Sequence, residues 1–506
     1  MEAHDQAVSA VSKRLQEFYA HREAFRVYHG STNSTRAIHK DGNKIIDTSN
    51  LNHVLAVNRT DKTAIVEPNV SMDKLVDAAL ENGLVPLVVM EFPGITAGGG
   101  FSGSAGESSS GRHGPFDSTV NSIEIVLPNG EVRRASKTED PDLFWGAASA
   151  FGTVGIVTLL EVQLQDAAQY VQLTHYPVRS FSEASKKLQE QVADTSVEFV
   201  DGIVFSSSNT VICAGRLVDA LPSGSKPRRY LGRKDPWFYL DVQKRAMNSS
   251  SPVVDYVPLT DYLFRWDRGG FWVARYAYRY FLTPFNRITR YALDNFMHAR
   301  VMYHALHASN LSDTYIIQDV GVPFDAAEAF YEWLHEKLHI YPLWLCPIRV
   351  RRYTPDAAHG LHADFADPSS TPEVMLNFGV WGPPASHGYD EMVRLNRLIE
   401  HKVHELGGKK TLYAQAYYTE EEFWKTYNKT CYDAVRTKYH ADHLPSVFDK
   451  VKVDEAAKRK AKEQTRMPSI LRDKRPFQGL YGVFKAFRGG DYLLQKMELG
   501  KPKQVL

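Results

Sequence analysis

Cysteine is scarce in this 506-residue protein; only Cys213, Cys346 and Cys431 occur. An odd number of widely spaced thiols excludes a complete disulfide framework and points to a reducing compartment. There is no run of about 18 uncharged apolar residues, so no membrane-spanning helix is expected. The N-terminus, M-E-A-H-D-Q-A-V-S-A-V-S-K-R-L, is polar and helix-like, without the apolar stretch of a signal peptide. The expectation is a cytoplasmic protein, or one held peripherally at the endoplasmic reticulum membrane. Six N-x-S/T sequons, Asn33 and Asn428 among them, carry no weight without a secretory signal. Net charge is only +1, which gives no electrostatic reason to expect nucleic acid. No G-x-x-x-x-G-K-[ST], G-x-S-x-G or C-x-x-C occurs, so kinase, serine-hydrolase and zinc-ribbon chemistry have no motif to stand on. Internal repeats are absent too.

What the sequence does have is a glycine and serine concentration. Residues 93–114 read P-G-I-T-A-G-G-G-F-S-G-S-A-G-E-S-S-S-G-R-H-G, with eight glycines. Glycine lets backbone approach a ligand closely and turn successive N–H groups toward an anion. Apolar, strand-like runs flank it at Leu84–Met90 and Ile123–Leu127, a setting for a phosphate-cradling loop rather than a flexible connector. Gly98–Gly103 also matches G-x-G-x-x-G. A Rossmann site requires a helix next, and S-A-G-E-S-S-S-G-R-H-G-P cannot supply one of normal length.

Residues from about 25 to 166 alternate short strands and helices. Met72, Leu75, Val76, Ala79 and Leu80 follow helical spacing, predicting a helix over Ser71–Asn82, capped by Ser71 and ended by Gly83. Ser122–Arg134 predicts a hairpin turning at Asn129-Gly130. Beyond about 167, strands are expected at Thr314–Pro323, Leu343–Val350 and Val374–Trp381. A helix is expected at Asp325–His339, with Asp325 and Glu328 as a capping box. The fold class is therefore α+β, with an antiparallel sheet flanked by helices in the second domain. H-E-x-x-H at 335–339 sets two imidazoles on one helical face, yet Pro342 ends that helix and no third ligand follows; no metal site is expected. Phe271–Leu306 interleaves aromatics with Arg275, Arg279, Arg287, Arg290 and Arg300, which reads equally as a membrane-interface helix or a core helix with snorkelling arginines. Residues 452–506 carry 14 Lys/Arg against 6 Asp/Glu, either a solvated tail or a surface for membrane or partner.

Three blocks together resemble flavoproteins with the vanillyl-alcohol-oxidase (p-cresol-methylhydroxylase, PCMH) type FAD domain. They are Y-H-G-S-T-N-S-T-R at 28–36, the glycine run, and E-D-P-D-L-F-W-G-A-A-S-A-F-G-T-V-G-I-V at 139–157. Further blocks resemble the delta-24 sterol reductase family: T-A-G-G-G-F-S-G-S-A-G-E-S-S-S at 96–110, I-I-Q-D-V-G-V-P at 316–323, Y-P-L-W-L-C-P at 341–347, L-Y-A-Q-A-Y-Y-T-E-E-E-F-W at 412–424, Y-D-A-V-R-T-K-Y at 432–439 and L-P-S-V-F-D-K-V at 444–451. They keep family order over roughly 25–451. Familiar members carry an N-terminal membrane anchor and lack the basic extension, two departures that bear on the substrate rather than the flavin.

The resemblance implies a two-subdomain PCMH-type FAD-binding domain at 1–166, a substrate (cap) domain at 167–451 whose end returns toward the flavin, and a basic extension at 452–506. It implies FAD contacts from Gly30, Ser31, Thr32, Asn33 and Ser34. It adds Thr96, Ala97, Gly98, Gly99, Gly100, Phe101, Ser102, Gly103, Ser104, Ala105, Gly106, Glu107 and Ser108, then Gly152, Gly155, Ile156 and Val157. Doubly linked flavins need a cysteine in that domain, and singly linked ones a histidine inside the first loop; neither is present, so dissociable FAD is expected. The implied reaction is NADPH-dependent reduction of an isolated alkene, a C=C bond in the side arm of a hydrophobic small molecule. Such an alkene needs a proton donor beside the hydride source, and a desolvated carboxylic acid suits. Glu107 is the first candidate, although its carboxylate could equally cap its own loop. Tyr413 and Tyr417 are alternatives, and Lys438 with Arg436 could meet an NADPH phosphate. The competing readings are an O2-using oxidase of an alcohol or secondary metabolite, and a non-enzymatic membrane-surface protein.

Overall fold

The computed structural model describes residues 2–29, 44–246, 249–309, 315–384 and 388–454. Two antiparallel sheets organise it. The first, built from the strands 54–58, 63–66, 156–166, 120–126 and 132–136 in that spatial order, has 84–86 paired onto the far end of 156–166. The second has eight strands, ordered 253–258, 170–178, 209–218, 199–206, 343–349, 374–382, 316–323 and 409–410. The α+β class is as the sequence indicates, and the three expected core strands lie side by side as Leu343–Arg349, Val374–Gly382 and Ile316–Pro323.

Alternation along the second sheet decides what each face does. Ile316, Val320, Leu343, Leu345, Leu376, Phe378 and Val380 turn to one side, into a core with the helices Phe181–Ala193, Phe324–Lys337 and Tyr389–Glu405. Trp344, Cys346 and Trp381 turn to the other, and share a core with Val88, Met90, Phe101 and Phe144 of the first domain. The second face of the sheet is therefore a wall against the glycine run.

Several local expectations are corrected. The glycine run is not a loop throughout: Ala97–Gly103 is a seven-residue helix and Ser110–His113 a single further turn. Thr96 caps the first by accepting from Gly99 N–H at 3.2 Å, and Ser104 closes it with a left-handed φ of 46°. No helix of normal length follows, in agreement with the argument against a Rossmann site. The helix at Met72–Leu80 forms, but the Ser71 hydroxyl binds the Asp73 carboxylate rather than a helix N–H. Phe324–Lys337 starts directly from Pro323, so the Asp325/Glu328 box does not form; Asp325 sits in the first turn, where the helix dipole favours it. Phe271–Leu306 is not one helix. It breaks into Ala274–Tyr280, Arg287–Ala292 and Ala299–Ser309. His335 hydrogen-bonds the Tyr341 hydroxyl at 2.9 Å, and no metal-binding group of His, Cys, Asp or Glu occurs among the described residues. Nor, among them, is any helix long and apolar enough to cross a membrane.

The broken segment is pinned by an ionic cluster. His298 Nδ1 meets Asp267 at 2.6 Å, its Nε2 lies 3.7 Å from Asp294, and Asp294 pairs with buried Arg268 at 2.7 Å. Burial opposes the imidazolium, but the Asp267 charge and hydrogen bond, aided by Asp294, outweigh it and raise His298 to about 10. A folded value above the unfolded one gives stability that is complete below about pH 6.5 and lost as pH rises through about 10. His298→Ala should therefore cost about 2–4 kcal/mol at pH 6 and distinctly less near pH 10. Urea melts at the two pH values check this; a pH-independent cost would refute it.

Candidate active site

The wall and the glycine run meet tightly. Val200 N–H donates to Ser108 O at 2.7 Å, and Arg349 Nε donates to Gly111 O at 3.3 Å. The glycines divide into two kinds by what an added Cβ would meet. At Gly98 it would strike Pro68 at 2.6 Å, at Gly100 Met90 at 2.5 Å, and at Gly155 Val126 O at 2.8 Å. Those three are demanded by packing. At Gly103 the nearest atom is 3.6 Å away on Phe151, and at Gly152 it is 3.7 Å away. Space beside these two is not needed by the protein itself. They are neighbours across the cradle, because Phe151 N–H donates to Ser102 O at 3.1 Å and Ser149 N–H to Phe101 O at 3.3 Å. Ser104 and Ser149 join through their hydroxyls. The second and third sequence blocks are thus one surface, with Thr96 and Ala97 buried beneath Gly99 and Ser102, while Ala105 and Gly106 continue its partly open edge. Ile156 is buried and Val157 partly so on the strand that leaves the turn. Gly30, Ser31, Thr32, Asn33 and Ser34 lie outside the described residues.

The segment 432–450 closes this surface from behind. Lys450 donates to the carbonyls of Phe151 and Gly152 at 3.0 and 3.3 Å, and the Tyr432 hydroxyl donates to Thr153 at 2.7 Å. Lys438 pairs with Asp142 at 2.6 Å, while buried Arg436 donates to the carbonyls of Ala441 and Leu444. Both cations are engaged within the protein.

Glu107 is buried at the junction of the two domains. Its Oε1 accepts from Ser109 N–H at 2.8 Å and from the Ser109 hydroxyl, and its Oε2 accepts from Ser108 Oγ at 2.7 Å. The carboxylate thus folds back onto its own loop. Desolvation raises its pKa, against those hydrogen bonds. Arg265 lies beyond, donating to Ser108 Oγ at 3.3 Å and to Asp201 at 2.8 Å, with its guanidinium 4.0 Å from the Tyr262 ring centroid. Glu91 joins this group. Burial, then the nearby Glu107 charge, pushes it well above the carboxylate range, and its Oε1 has no partner among the described residues.

A second acid stands further along the wall. Asp319, on Ile316–Pro323, points between Asn377 and Trp381 of the neighbouring strand, which donate to it at 2.8 and 3.2 Å. The Tyr413 hydroxyl donates to Asp319 Oδ2. Desolvation, against these three hydrogen bonds, raises Asp319 to about 6. Burial and then the Asp319 charge push Tyr413 well above the usual phenol range. Tyr417 faces elsewhere, with its hydroxyl on Gln415 at 2.9 Å and near Met392 of the helix Tyr389–Glu405. Beside Asp319 and Tyr413 is an aromatic lining: Phe271 lies 4.4 Å from Trp381 and 5.2 Å from Trp344, centroid to centroid, and Phe92 lies 5.7 Å from Phe271 and 5.9 Å from Tyr303. An apolar wall with a few converging polar groups is the usual composition of a small-molecule site.

Sequence reasoning misses Asp319, Glu91 and Arg265. A signal exists for the first two. A lone carboxylate inside I-I-Q-D-V-G-V-P or V-V-M-E-F is a charge in a buried strand-like run, which must find partners or neutralise.

Comparison with known proteins agrees with this geometry. Residues 6–136 match the FAD binding domain family. The human delta(24)-sterol reductase is 26% identical over 415 residues, covering 79% of this chain and 76% of that protein. The enzyme of the same name from Arabidopsis thaliana is 26% identical over 498 residues, covering 91% and 86%. Cytokinin dehydrogenase 4 from rice, 28% identical, aligns over only 136 residues, 26% of this chain. The protein has an FAD-binding domain and resembles delta(24)-sterol reductases along most of its length, as its motifs indicated.

Proposed function

We propose that this protein, a relative of delta(24)-sterol reductases, is an FAD-dependent reductase of an isolated C=C bond in a sterol-like lipid, with NADPH as reductant. The observation that carries the reading is the Asp319–Tyr413 pair set in an aromatic wall against a glycine cradle. A flavin, when bound, supplies the hydride chemistry. Gly99, Gly103 and Gly152 fit a dinucleotide because the protein does not fill the space beside them. No cysteine occurs before Cys213, which supports dissociable FAD. Phe271, Trp344 and Trp381 would hold the apolar skeleton and exclude water. Tyr413 would present its hydroxyl proton to the alkene carbon, and protonated Asp319 would replace it. Glu107 would keep the cradle in shape.

Anaerobic NADPH should bleach the yellow protein, and a Δ24-sterol should then restore the colour. Peroxide release on an alcohol, with no bleaching by NADPH, would replace this reading with an oxidase.

The division among the glycines gives a sharper check. Gly103→Ala should weaken FAD binding at least about tenfold while leaving the apoprotein as stable or slightly more so, since Gly→Ala in a helix is worth about 1 kcal/mol. Gly100→Ala should cost the apoprotein about 1–3 kcal/mol by overpacking against Met90 and Phe116. Flavin titration and melting of both variants decide it. Equal loss of stability would show that Gly103 is a packing glycine too.

A further inference from the structure

The break in Phe271–Leu306 leaves an apolar tip. Leu282 is 87% exposed, Ile288 79% and Tyr291 44%, half of the strongly exposed large hydrophobic residues among those described. The other three, Val132, Val254 and Tyr353, are scattered. Ile288 and Tyr291 are three apart on Arg287–Ala292, a helix none of whose residues is buried, and so share a face.

The tip is held in place. Asn286 and Thr289 form a capping box, Thr289 Oγ1 donates to Pro284 O at 2.5 Å, and the Tyr278 hydroxyl donates to Thr289 O at 3.3 Å. Arg290 stacks on Phe285, 5.0 Å from its centroid. An apolar surface that is fixed and solvent-facing costs free energy unless something covers it.

Its surroundings are cationic. Arg279 and Arg287 are exposed on either side of Leu282, and exposed Arg233 lies over the Tyr291 ring at 4.6 Å. Between residues 275 and 300 the sole acid is Asp294, already paired with Arg268. Aliphatic and tyrosine side chains ringed by arginine suit the acyl-headgroup boundary of a negatively charged membrane. The same segment begins at Phe271 and Trp272, which line the wall of the candidate site. We propose that residues 282–291 dock this protein on an anionic phospholipid bilayer, delivering its lipid substrate beside the aromatic wall. The delivery clause rests on the lipid-reductase reading; the docking does not.

The test is co-sedimentation of the full-length protein with phosphatidylcholine vesicles, with and without about one third phosphatidylserine. Wild type should bind the anionic vesicles and bind the neutral ones less. Leu282→Ser/Ile288→Ser should lower the partition coefficient about tenfold or more, with flavin content unchanged. Arg279→Glu/Arg287→Glu should lower it on anionic vesicles alone. If the serine variant binds like wild type while removal of 455–506 abolishes binding, the basic extension is the anchor and the proposal is wrong. A wild-type protein that sediments with neither vesicle also overturns it, whatever protein partner it then proves to bind. Flavin bleaching by NADPH, measured without vesicles, tests the reductase reading separately.

Discussion

Asp319→Asn should lower turnover of a Δ24-sterol by about 10²–10⁴-fold, the usual contribution of a positioned acid. Tyr413→Phe should do the same, and the double variant should be little worse than either single one, because both act on one proton. Neither change touches the glycine cradle, so FAD should stay bound and NADPH should still bleach it. The loss should appear only in the second half-reaction, when reduced protein meets the alkene. The pH dependence has a definite sign. Asp319 is raised to about 6 by desolvation, and its neighbours Tyr413, Tyr303, Asn377, Trp381 and Cys346 bring no positive charge. The protonated form is the donor. Reoxidation by sterol should therefore be fastest below about pH 6 and fall as pH rises above it. Asp319→Asn should flatten that fall. Stopped-flow reoxidation from pH 5 to 8.5 measures both effects. A full-speed Asp319→Asn variant would place the acid elsewhere, with Glu91 next.

How much of this was legible in the sequence depends on range. The three strands, the hairpin at Gly130 (φ 87°) and the helix at Met72–Leu80 follow from alternation, turn chemistry and helical spacing, and these are local. The glycine run misled. Glycine disfavours helix by about 1 kcal/mol per residue, yet Ala97–Gly103 is helical. Thr96 capping and the close seating of Gly98 on Pro68 and of Gly100 on Met90 outweigh propensity. Caps failed for the opposite reason. Ser71 and Asp325 have capping chemistry, but Asp73 takes the serine hydroxyl and Pro323 moves the helix start one residue earlier. The site was half legible. Tyr413 could be named from its block, but Asp319 gains meaning only once Tyr413, 94 residues away, reaches it. Arg265 and Asp201 are 64 residues apart, and no local pattern links them.

That long-range pair carries the largest stability effect expected here. Arg265 is about 1% exposed and faces Asp201, Glu107 and Glu91 at the junction of the domains. Burial disfavours its charge, but Tyr262, Asp201, Glu107 and Glu91 more than offset that and hold it protonated. Arg265→Met keeps most of the volume and removes the cation. Uncompensated buried carboxylates remain, so the variant should lose about 3–5 kcal/mol. Adding Asp201→Asn to that variant should restore about 1–3 kcal/mol, because the neutral amide still accepts from Trp344 Nε1 and no longer needs a counter-charge. The loss should also depend on pH. Without Arg265 the pKa values of Glu91 and Glu107 rise further above their unfolded values. A carboxyl raised on folding gives stability at low pH that is lost as pH climbs through the folded value. The deficit of Arg265→Met should therefore be largest near pH 8 and shrink toward pH 5. Urea melts of the two variants across that range, read by tryptophan fluorescence, would show it. A deficit below about 1 kcal/mol at pH 8 would mean that the cluster is neutral in wild type, with Glu91 and Glu107 both protonated. Glu107→Gln would then be nearly silent in stability, and the proton inventory of the junction would have to be redrawn around neutral acids.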